Sequence, residues 1–298
     1  MKKLTEWIAS SKDVDYEKLH QNGENVKQLD NFIIDKKSLK IIQDFMFTGV
    51  HVAITGNPGT GKTELAKKLS IAHNMPYILI NVGMIRTPGD WWGFMEYKEG
   101  EGTFFHKTRL TSALENKQPY VIILNEFNRC PPHCHNPIYD ILDGNRAVYL
   151  EAIDKELAVH PETIFLATLN RGMSHTGTFQ EDAAIEDRFE FINLQLPSEK
   201  EITDILIKWF SINKKDATMI ARLTKELACL HDDEKLSKAF GMRPAISAAK
   251  LLTRKNNLHD ALVYTFANRF SSEGGVESER TYVMQLIQGL SGSGDYLG

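Results

Sequence analysis

The sequence has few cysteines, no long apolar run and no excess of one charge. Its 298 residues include three cysteines, too few for a disulfide framework, so we expect a reducing compartment, the cytoplasm. No window approaches the roughly 18 consecutive apolar residues of a membrane span, and the first residues lack the apolar segment of a secretory signal. With 35 basic and 39 acidic residues, the chain also lacks the basic excess typical of nucleic-acid binding. We therefore expect a cytoplasmic globular protein with no membrane partner.

Short runs of β-branched and aromatic residues alternate with segments of helical spacing in the first two thirds of the chain. Most of the runs are continuously apolar, as in strands that are buried on both faces. Because helical segments separate several of them, the pattern predicts an α/β fold with a mainly parallel, five-stranded sheet. The expected strands are 50–55, 77–82, 120–126, 163–170 and 189–195, and the expected helices between them are 62–73, 107–116 and 136–143.

After Pro197 the pattern becomes entirely helical. Ser198 followed by Glu201 is typical of a capping box, and four amphipathic segments follow without a convincing strand. We therefore expect a small helical lid after the α/β core. The predicted organisation is an N-terminal segment (1–34), an α/β core (35–197), a helical lid (198–271), and a C-terminal helix with a loose tail (272–298).

A glycine-rich loop follows the first predicted strand and opens the first predicted helix. It reads GNPGTGKT and matches the phosphate-binding pattern GxxxxGK[ST] in full. Its glycines allow main-chain N–H groups to converge on phosphate oxygens, its lysine supplies a charge, and its threonine offers a hydroxyl to Mg²⁺. The loop predicts binding of ATP with Mg²⁺. The expected nucleotide-binding residues are Gly56, Asn57, Pro58, Gly59, Thr60, Gly61, Lys62, Thr63 and Glu64.

The third predicted strand ends in Asn125 and Glu126, where nucleotide-cleaving enzymes need acidic groups. Glu126 is placed to polarise an attacking water. Asn125 stands where a metal-associated aspartate is expected, and its amide oxygen accepts hydrogen bonds but brings no charge. Thr63 and Asn125 are thus the expected metal-side residues, with Mg²⁺ held weakly. Two alternatives remain open: Glu126 only caps the strand, or the site binds nucleotide and hydrolyses it slowly.

From about residue 35 to 255 the sequence resembles AAA+ ATPases, and within them the MoxR-type branch. That branch includes the small ATPase subunit of cobalt chelatase, the gas-vesicle ATPase, and the activators of Rubisco and nitric oxide reductase. The resemblance implies a P-loop NTPase core with a helical lid. The segments that carry it are 56–63, 124–132, 143–150, 160–170 and 176–189.

The resemblance implies roles for four polar residues. Asn170, after the fourth strand, matches the sensor-1 position; the alternative is an asparagine that begins a loop. Arg188 matches the arginine finger that reaches a neighbouring subunit's γ-phosphate; the alternative is a surface arginine paired with Glu186 or Asp187. Arg243 resembles sensor 2. Arg129 fits either a subunit interface or a salt bridge within one subunit.

Two other segments invite a functional interpretation. Residues 130–135 (CPPHCH) crowd possible zinc ligands into one turn, although zinc sites usually separate their ligand pairs by a longer segment. Residues 84–106 are rich in aromatics and glycine and predict a hairpin-like insertion. Its residues Trp91, Trp92, Phe94 and Tyr97 contact either a substrate chain or a neighbouring subunit, or they simply pack under the insertion.

Together these features predict an ATP-hydrolysing AAA+ ring that remodels or activates a protein partner. The resemblance implies a homo-oligomer, a ring of six, and a separate partner polypeptide that often carries a von Willebrand A-type domain. One alternative is a nucleotide-gated scaffold in which Asn125 suppresses hydrolysis. Another is a GTP- or ATP-driven motor on nucleic acid, which the acidic balance of the chain disfavours.

Overall fold

The computed structural model describes residues 34–170 and 183–292. Most of the predicted N-terminal segment, residues 171–182 and the end of the predicted tail (293–298) lie outside this part of the chain. No helix of the described part is long and apolar enough to cross a membrane. The strands are β1 (Val52–Thr55), β2 (Tyr77–Asn81), β3 (Gly93–Lys98), β4 (Gly102–Lys107), β5 (Val121–Asn125), β6 (Ala147–Leu150), β7 (Lys155–Ala158), β8 (Ile164–Leu169) and β9 (Glu190–Asn193). The α-helices are α1 (Lys36–Phe47), α2 (Lys62–Ala72), α3 (Arg109–Glu115), α4 (Asn136–Leu142), α5 (Ala183–Glu186), α6 (Glu199–Phe210), α7 (Lys214–Asp232), α8 (Met242–Thr253), α9 (Leu258–Thr265) and α10 (Glu279–Gly292).

The five predicted strands form one parallel sheet in the order β2-β5-β8-β1-β9. β1 and β8 are buried along their whole length, as their continuous apolar sequences predicted. The predicted α/β class with a mainly parallel five-stranded sheet is therefore confirmed. Because parallel strands end at the same edge, the residues that follow β1, β5 and β8 lie along one edge of the sheet.

Two antiparallel hairpins lie in the connections between the strands of the five-stranded sheet. β3 pairs with β4, and β6 pairs with β7. The first hairpin confirms the insertion predicted over 84–106 and divides its aromatic residues. Trp91 and Trp92 are buried, whereas Phe94 and Tyr97 are 59% and 72% exposed. Packing under the insertion thus accounts for the two tryptophans and leaves the other two aromatic side chains on the surface.

The chain divides into two compact units. Within the described residues, the first unit takes 34–56, 62–170 and 183–193, and the second takes 57–61 and 194–292. Residues 194–292 contain helices and no strand. The predicted capping box is present at the start of α6, where the Ser198 hydroxyl accepts from the Glu201 N–H and the Glu201 carboxylate accepts from the Ser198 N–H.

Candidate functional site

The glycine-rich loop has the backbone that its sequence predicts. Gly56, Gly59 and Gly61 adopt φ values of 141°, 82° and 97°, in a region that side chains disfavour. The Lys62 ammonium is buried and donates to the Gly56 carbonyl at 2.8 Å. α2 begins at Lys62, so its positive end and its first N–H groups lie where the loop ends. Glu64 lies in the first turn of α2 with its side chain exposed.

The Asn125 amide lies between two threonine hydroxyls at the end of β5. The Thr63 hydroxyl, at the start of α2, donates to Asn125 Oδ1 at 2.5 Å. The Thr168 hydroxyl, on the neighbouring strand β8, donates to the same oxygen at 3.1 Å. The two expected metal-side residues are thus in direct contact, and both hydroxyl protons are directed at one amide oxygen.

Glu126 has an unusual backbone for its residue type. Its φ of 56° and ψ of 47° place it in the left-handed region. That conformation costs a non-glycine residue about 1–3 kcal/mol and recurs at functional sites. Its N–H donates to the Thr168 hydroxyl at 3.0 Å, which helps to hold the turn. Its carboxylate lies 3.3 Å from the Arg129 guanidinium, with 33% of the Glu126 side chain exposed. This contact is the salt bridge within one subunit, which is one of the two interpretations of Arg129 given by the sequence.

Asn170 is buried directly after β8. Its main-chain carbonyl accepts a 2.8 Å hydrogen bond from the Asn128 side chain, which belongs to the turn after Glu126. Asn128 is also buried. The residue at the expected sensor-1 position is therefore tied to the turn that carries the expected base.

Arg188 makes a bidentate ion pair with Asp143. Its Nε and Nη2 donate to the two carboxylate oxygens at 2.6 and 2.7 Å, and its Nη1 donates to the Ala184 carbonyl at 2.7 Å. The guanidinium also lies 4.4 Å from the centre of the Tyr139 ring. The hydrogen bond to Asp143 is the main cause that raises the pKa of Arg188. The ion pair is thus with Asp143, whereas Glu186 and Asp187 were the partners considered from the sequence.

Residues 57–61 of the loop contact the end of α7 and the start of α8. The Met242 N–H donates to the Gly59 carbonyl at 3.0 Å, and the Asn57 side chain donates to Asp232 at 3.2 Å. A Cβ on Gly241 would lie 2.5 Å from the Pro58 carbonyl oxygen, so only glycine allows this approach. Arg243 lies one residue after Met242, in the first turn of α8, and its side chain is exposed.

The cysteine- and histidine-rich turn has the character of a packed core. Cys130 and Cys134 are both fully buried, and burial is the main cause that raises the pKa of the Cys130 thiol to about 12. The Trp91 indole donates to the Cys134 carbonyl at 2.7 Å. In the described part of the chain, no group of three or more His, Cys, Asp or Glu residues is arranged to hold a metal ion. The zinc interpretation therefore finds no support.

Three residues of the site escaped the sequence reasoning. Thr168 stands two positions before Asn170, within the apolar strand β8, and no local sign indicates its contact with Asn125. Asp143 stands in the segment DGNRAVYL, with no local sign that it pairs with Arg188. Gly241 precedes the Met-Arg pair at the start of α8, where its need for space depends on the distant residues 58–59.

Comparisons with known proteins give a matching family model and several relatives. Residues 51–189 match the family model described as an AAA domain (dynein-related subfamily). The chain is 26% identical over 215 residues to "Putative chaperone BssE" of Thauera aromatica. The aligned region covers 72% of this chain and 73% of that protein. It is 22% identical over 193 residues to Midasin of Dictyostelium discoideum, covering 64% of this chain and 3% of Midasin.

Solved structures share the fold. Two mutant forms of RuvB from Thermotoga maritima superpose with a TM-score of 0.50 each. The first mutant is 19% identical, and its alignment covers 85% of this chain and 72% of the RuvB chain. The second mutant is 20% identical, and its alignment covers 77% of this chain and 67% of the RuvB chain. Placement in the MoxR-type branch stays a prediction. The family match over residues 51–189, the glycine-rich loop and the parallel sheet together show that the chain has the P-loop NTPase fold of AAA domains.

Proposed function

We propose that this protein binds ATP with Mg²⁺ and hydrolyses it in order to remodel or activate a protein partner. The observation that carries the proposal is the meeting of Thr63 with Asn125 at 2.5 Å, directly beside the strained residue Glu126. It brings the hydroxyl of the glycine-rich loop to the strand end that carries the expected base. A P-loop enzyme needs these two elements together.

The oxygen atoms present fit a magnesium ion. Hydroxyl and amide oxygens are hard ligands that Mg²⁺ accepts, and the ion takes its remaining ligands from water and phosphate. Thr63 would bind the ion through its hydroxyl oxygen, while Asn125 accepts the hydroxyl proton. The bound ion would neutralise charge on the phosphates. Lys62 would hold the β- and γ-phosphates as a point charge.

Glu126 is the proposed general base. A carboxylate one residue beyond the metal-side position is placed to take a proton from water that attacks the γ-phosphate. Its contact with Arg129 restrains the carboxylate, and this pair is partly exposed and therefore weak. Asn170 would hold the same water, and Arg243 would contact the phosphates from α8.

Arg188 is the proposed group that a neighbouring subunit contributes. Three of its N–H groups bind Asp143 and Ala184, and a guanidinium has five. Two N–H groups therefore remain for phosphate oxygens, without hydrogen bonds to other described residues. A head-to-tail ring of identical subunits, with six the expected number, would present them to the next active site.

The partner is proposed to be a separate protein. The name of the Thauera aromatica relative indicates chaperone activity for that protein, and a chaperone-like role is what the resemblance to the MoxR-type branch also implies. A partner with a von Willebrand A-type domain is the form that we favour. We expect both proteins in the cytoplasm.

The test is phosphate release measured together with nucleotide binding. We expect Glu126→Gln to keep its affinity for a fluorescent ATP analogue and to lose about 100-fold or more in turnover, since general-base catalysis contributes roughly 10²–10⁴-fold. Glu99→Gln, an exposed residue of the β3–β4 turn, is the matched control and should turn over normally.

The same assay separates the main alternative. Asn125 carries no charge, which favours a nucleotide-gated scaffold with suppressed hydrolysis. In that case the wild type would bind ATP and assemble, but it would release no more phosphate than Glu126→Gln. Equal release from these two proteins would refute the proposed hydrolysis.

A further inference from the structure

We propose that Thr168 is a positioning residue that fixes the orientation of the Asn125 amide, so that its oxygen and not its NH₂ group faces Thr63. The inference deepens the proposed function, because it concerns the magnesium side of the same site. It assigns a task to a residue of β8 that lies 43 positions from Asn125 in sequence.

The Thr168 hydroxyl has one proton, and its surroundings determine where that proton points. The Glu126 N–H donates to the Thr168 oxygen at 3.0 Å, which occupies one of its lone pairs. The proton is then directed at Asn125 Oδ1, 3.1 Å away. Thr168 is 2% exposed, so solvent does not offer its proton another acceptor. The hydroxyl therefore selects an acceptor at the position that Oδ1 occupies.

An asparagine needs such a selector, and an aspartate does not. The two ends of an amide differ, since one accepts hydrogen bonds and the other donates them, whereas the two oxygens of a carboxylate are equivalent. A rotated Asn125 amide would direct N–H groups at Thr63 and at any cation bound beside it. It would also leave the buried Thr168 proton without its acceptor. Thr168 makes this rotated state unfavourable.

The oxygen orientation has a consequence at Thr63. When Asn125 Oδ1 accepts the Thr63 proton at 2.5 Å, the lone pairs of the Thr63 oxygen remain for a cation. With the NH₂ group in that place, the Thr63 oxygen would accept a hydrogen bond and one of its lone pairs would be occupied. The orientation of Asn125 therefore acts on magnesium through the Thr63 hydroxyl.

The experiment measures how much Mg²⁺ is required for binding of a fluorescent ATP analogue to the full-length protein. Thr168→Val removes the hydroxyl and keeps the shape. We expect it to raise the Mg²⁺ concentration for half-maximal binding about tenfold, the effect of losing one hydrogen bond in this part-buried network. Thr168→Ser keeps the hydroxyl and should stay within about threefold of the wild type. Thr224→Val, which removes another buried hydroxyl in α7, is the control for a general loss of stability.

A double variant isolates the amide. In Thr168→Val with Asn125→Asp, the carboxylate has no wrong orientation, so the Mg²⁺ requirement should return to that of Asn125→Asp alone. If Thr168→Val leaves the requirement unchanged, the proposal is overturned. It is also overturned if the double variant stays as impaired as Thr168→Val, because the hydroxyl would then act through the Glu126 backbone. Thr168→Ala replaces Thr168→Val in both comparisons if the latter does not fold.

The readout is binding and not turnover, which separates this inference from the proposed function. A wild type that binds ATP with Mg²⁺ and releases no phosphate would refute hydrolysis and leave the orientation test intact. Normal hydrolysis together with an unchanged Mg²⁺ requirement in Thr168→Val would refute only the orientation.

Discussion

At the end of β5, two hydroxyl protons meet one neutral oxygen. An aspartate at position 125 would accept the same protons and add a negative charge close to a divalent cation. The asparagine keeps the hydrogen bonds of Thr63 and Thr168 and gives up that Coulomb attraction. At this strand end, hydrogen bonds to an amide oxygen take the place of a carboxylate charge. The orientation of the Asn125 amide is therefore important.

Gly241 illustrates how one missing side chain shapes the loop. Its φ of −138° is available to any residue, so space and not backbone conformation demands glycine. A Cβ there would lie 2.7 Å from the Gly59 carbonyl carbon and 2.8 Å from its oxygen. The hydrogen bond from Met242 to Gly59 depends on this close approach.

We predict that Gly241→Ala weakens nucleotide binding and lowers stability. Separating the two segments costs about 1–3 kcal/mol, as overpacking does, and displaces residues 58–59 of the loop. Binding of a fluorescent ATP analogue and thermal unfolding measure the two effects. Gly289→Ala is the matched control. Gly289 is an exposed residue of α10, and nothing lies within 4 Å of a Cβ at that position. Equal behaviour of the two variants would contradict the prediction.

Among the elements, the strands were the most predictable part of the molecule. Their apolar runs are continuous because both faces of the sheet are covered, and this local pattern is visible in sequence. The phosphate loop is equally local, since its glycines and Lys62 lie within one turn. The contacts of Asn125 with Thr168 and of Arg188 with Asp143 were not predictable, because these partners lie 43 and 45 positions away on other elements. Residues brought together by the sheet leave no mark on the local pattern.

A buried histidine, His51, lies directly before β1. His51 lies 5.0 Å from the Phe165 ring and 6.0 Å from the Phe189 ring. Burial, followed by the charge of Arg146, lowers the pKa of His51 from 6.5 to about 3. Between these values the unfolded chain binds a proton that the folded chain does not. The histidine therefore costs stability as the pH falls below 6.5, and it has no such effect above it.

We predict that His51→Phe flattens the acid side of the stability profile. At pH 5 the wild type should have lost about 2 kcal/mol through this group, at roughly 1.4 kcal/mol per pH unit. The melting temperature between pH 7 and pH 5 is the measurement, and the decrease should be smaller for His51→Phe than for the wild type. His259→Phe replaces an exposed histidine of α9 and should keep the wild-type decrease. Parallel profiles for the wild type and His51→Phe would show that His51 is not the group responsible.

At the scale of the whole molecule, the proposed function requires that one subunit completes the site of another. Glu126 and Arg188 stand on different elements of the same unit, and Arg188 is held by Asp143 on one edge of its guanidinium. A ring in which every interface is the same would place each Arg188 beside a neighbour's nucleotide. A subunit that lacks only Arg188 and a subunit that lacks only Glu126 would then form a complete site at the interface where the first contributes Glu126 and the second contributes Arg188.

The most direct test mixes Glu126→Gln subunits with Arg188→Ala subunits and measures phosphate release. Each variant alone should bind ATP and be nearly inactive. In an equal, random mixture about one quarter of the interfaces join an intact Glu126 to an intact Arg188, so activity should return to roughly that fraction of the wild type. No recovery in a mixture that forms rings, or normal turnover by Arg188→Ala alone, would contradict a site shared between subunits.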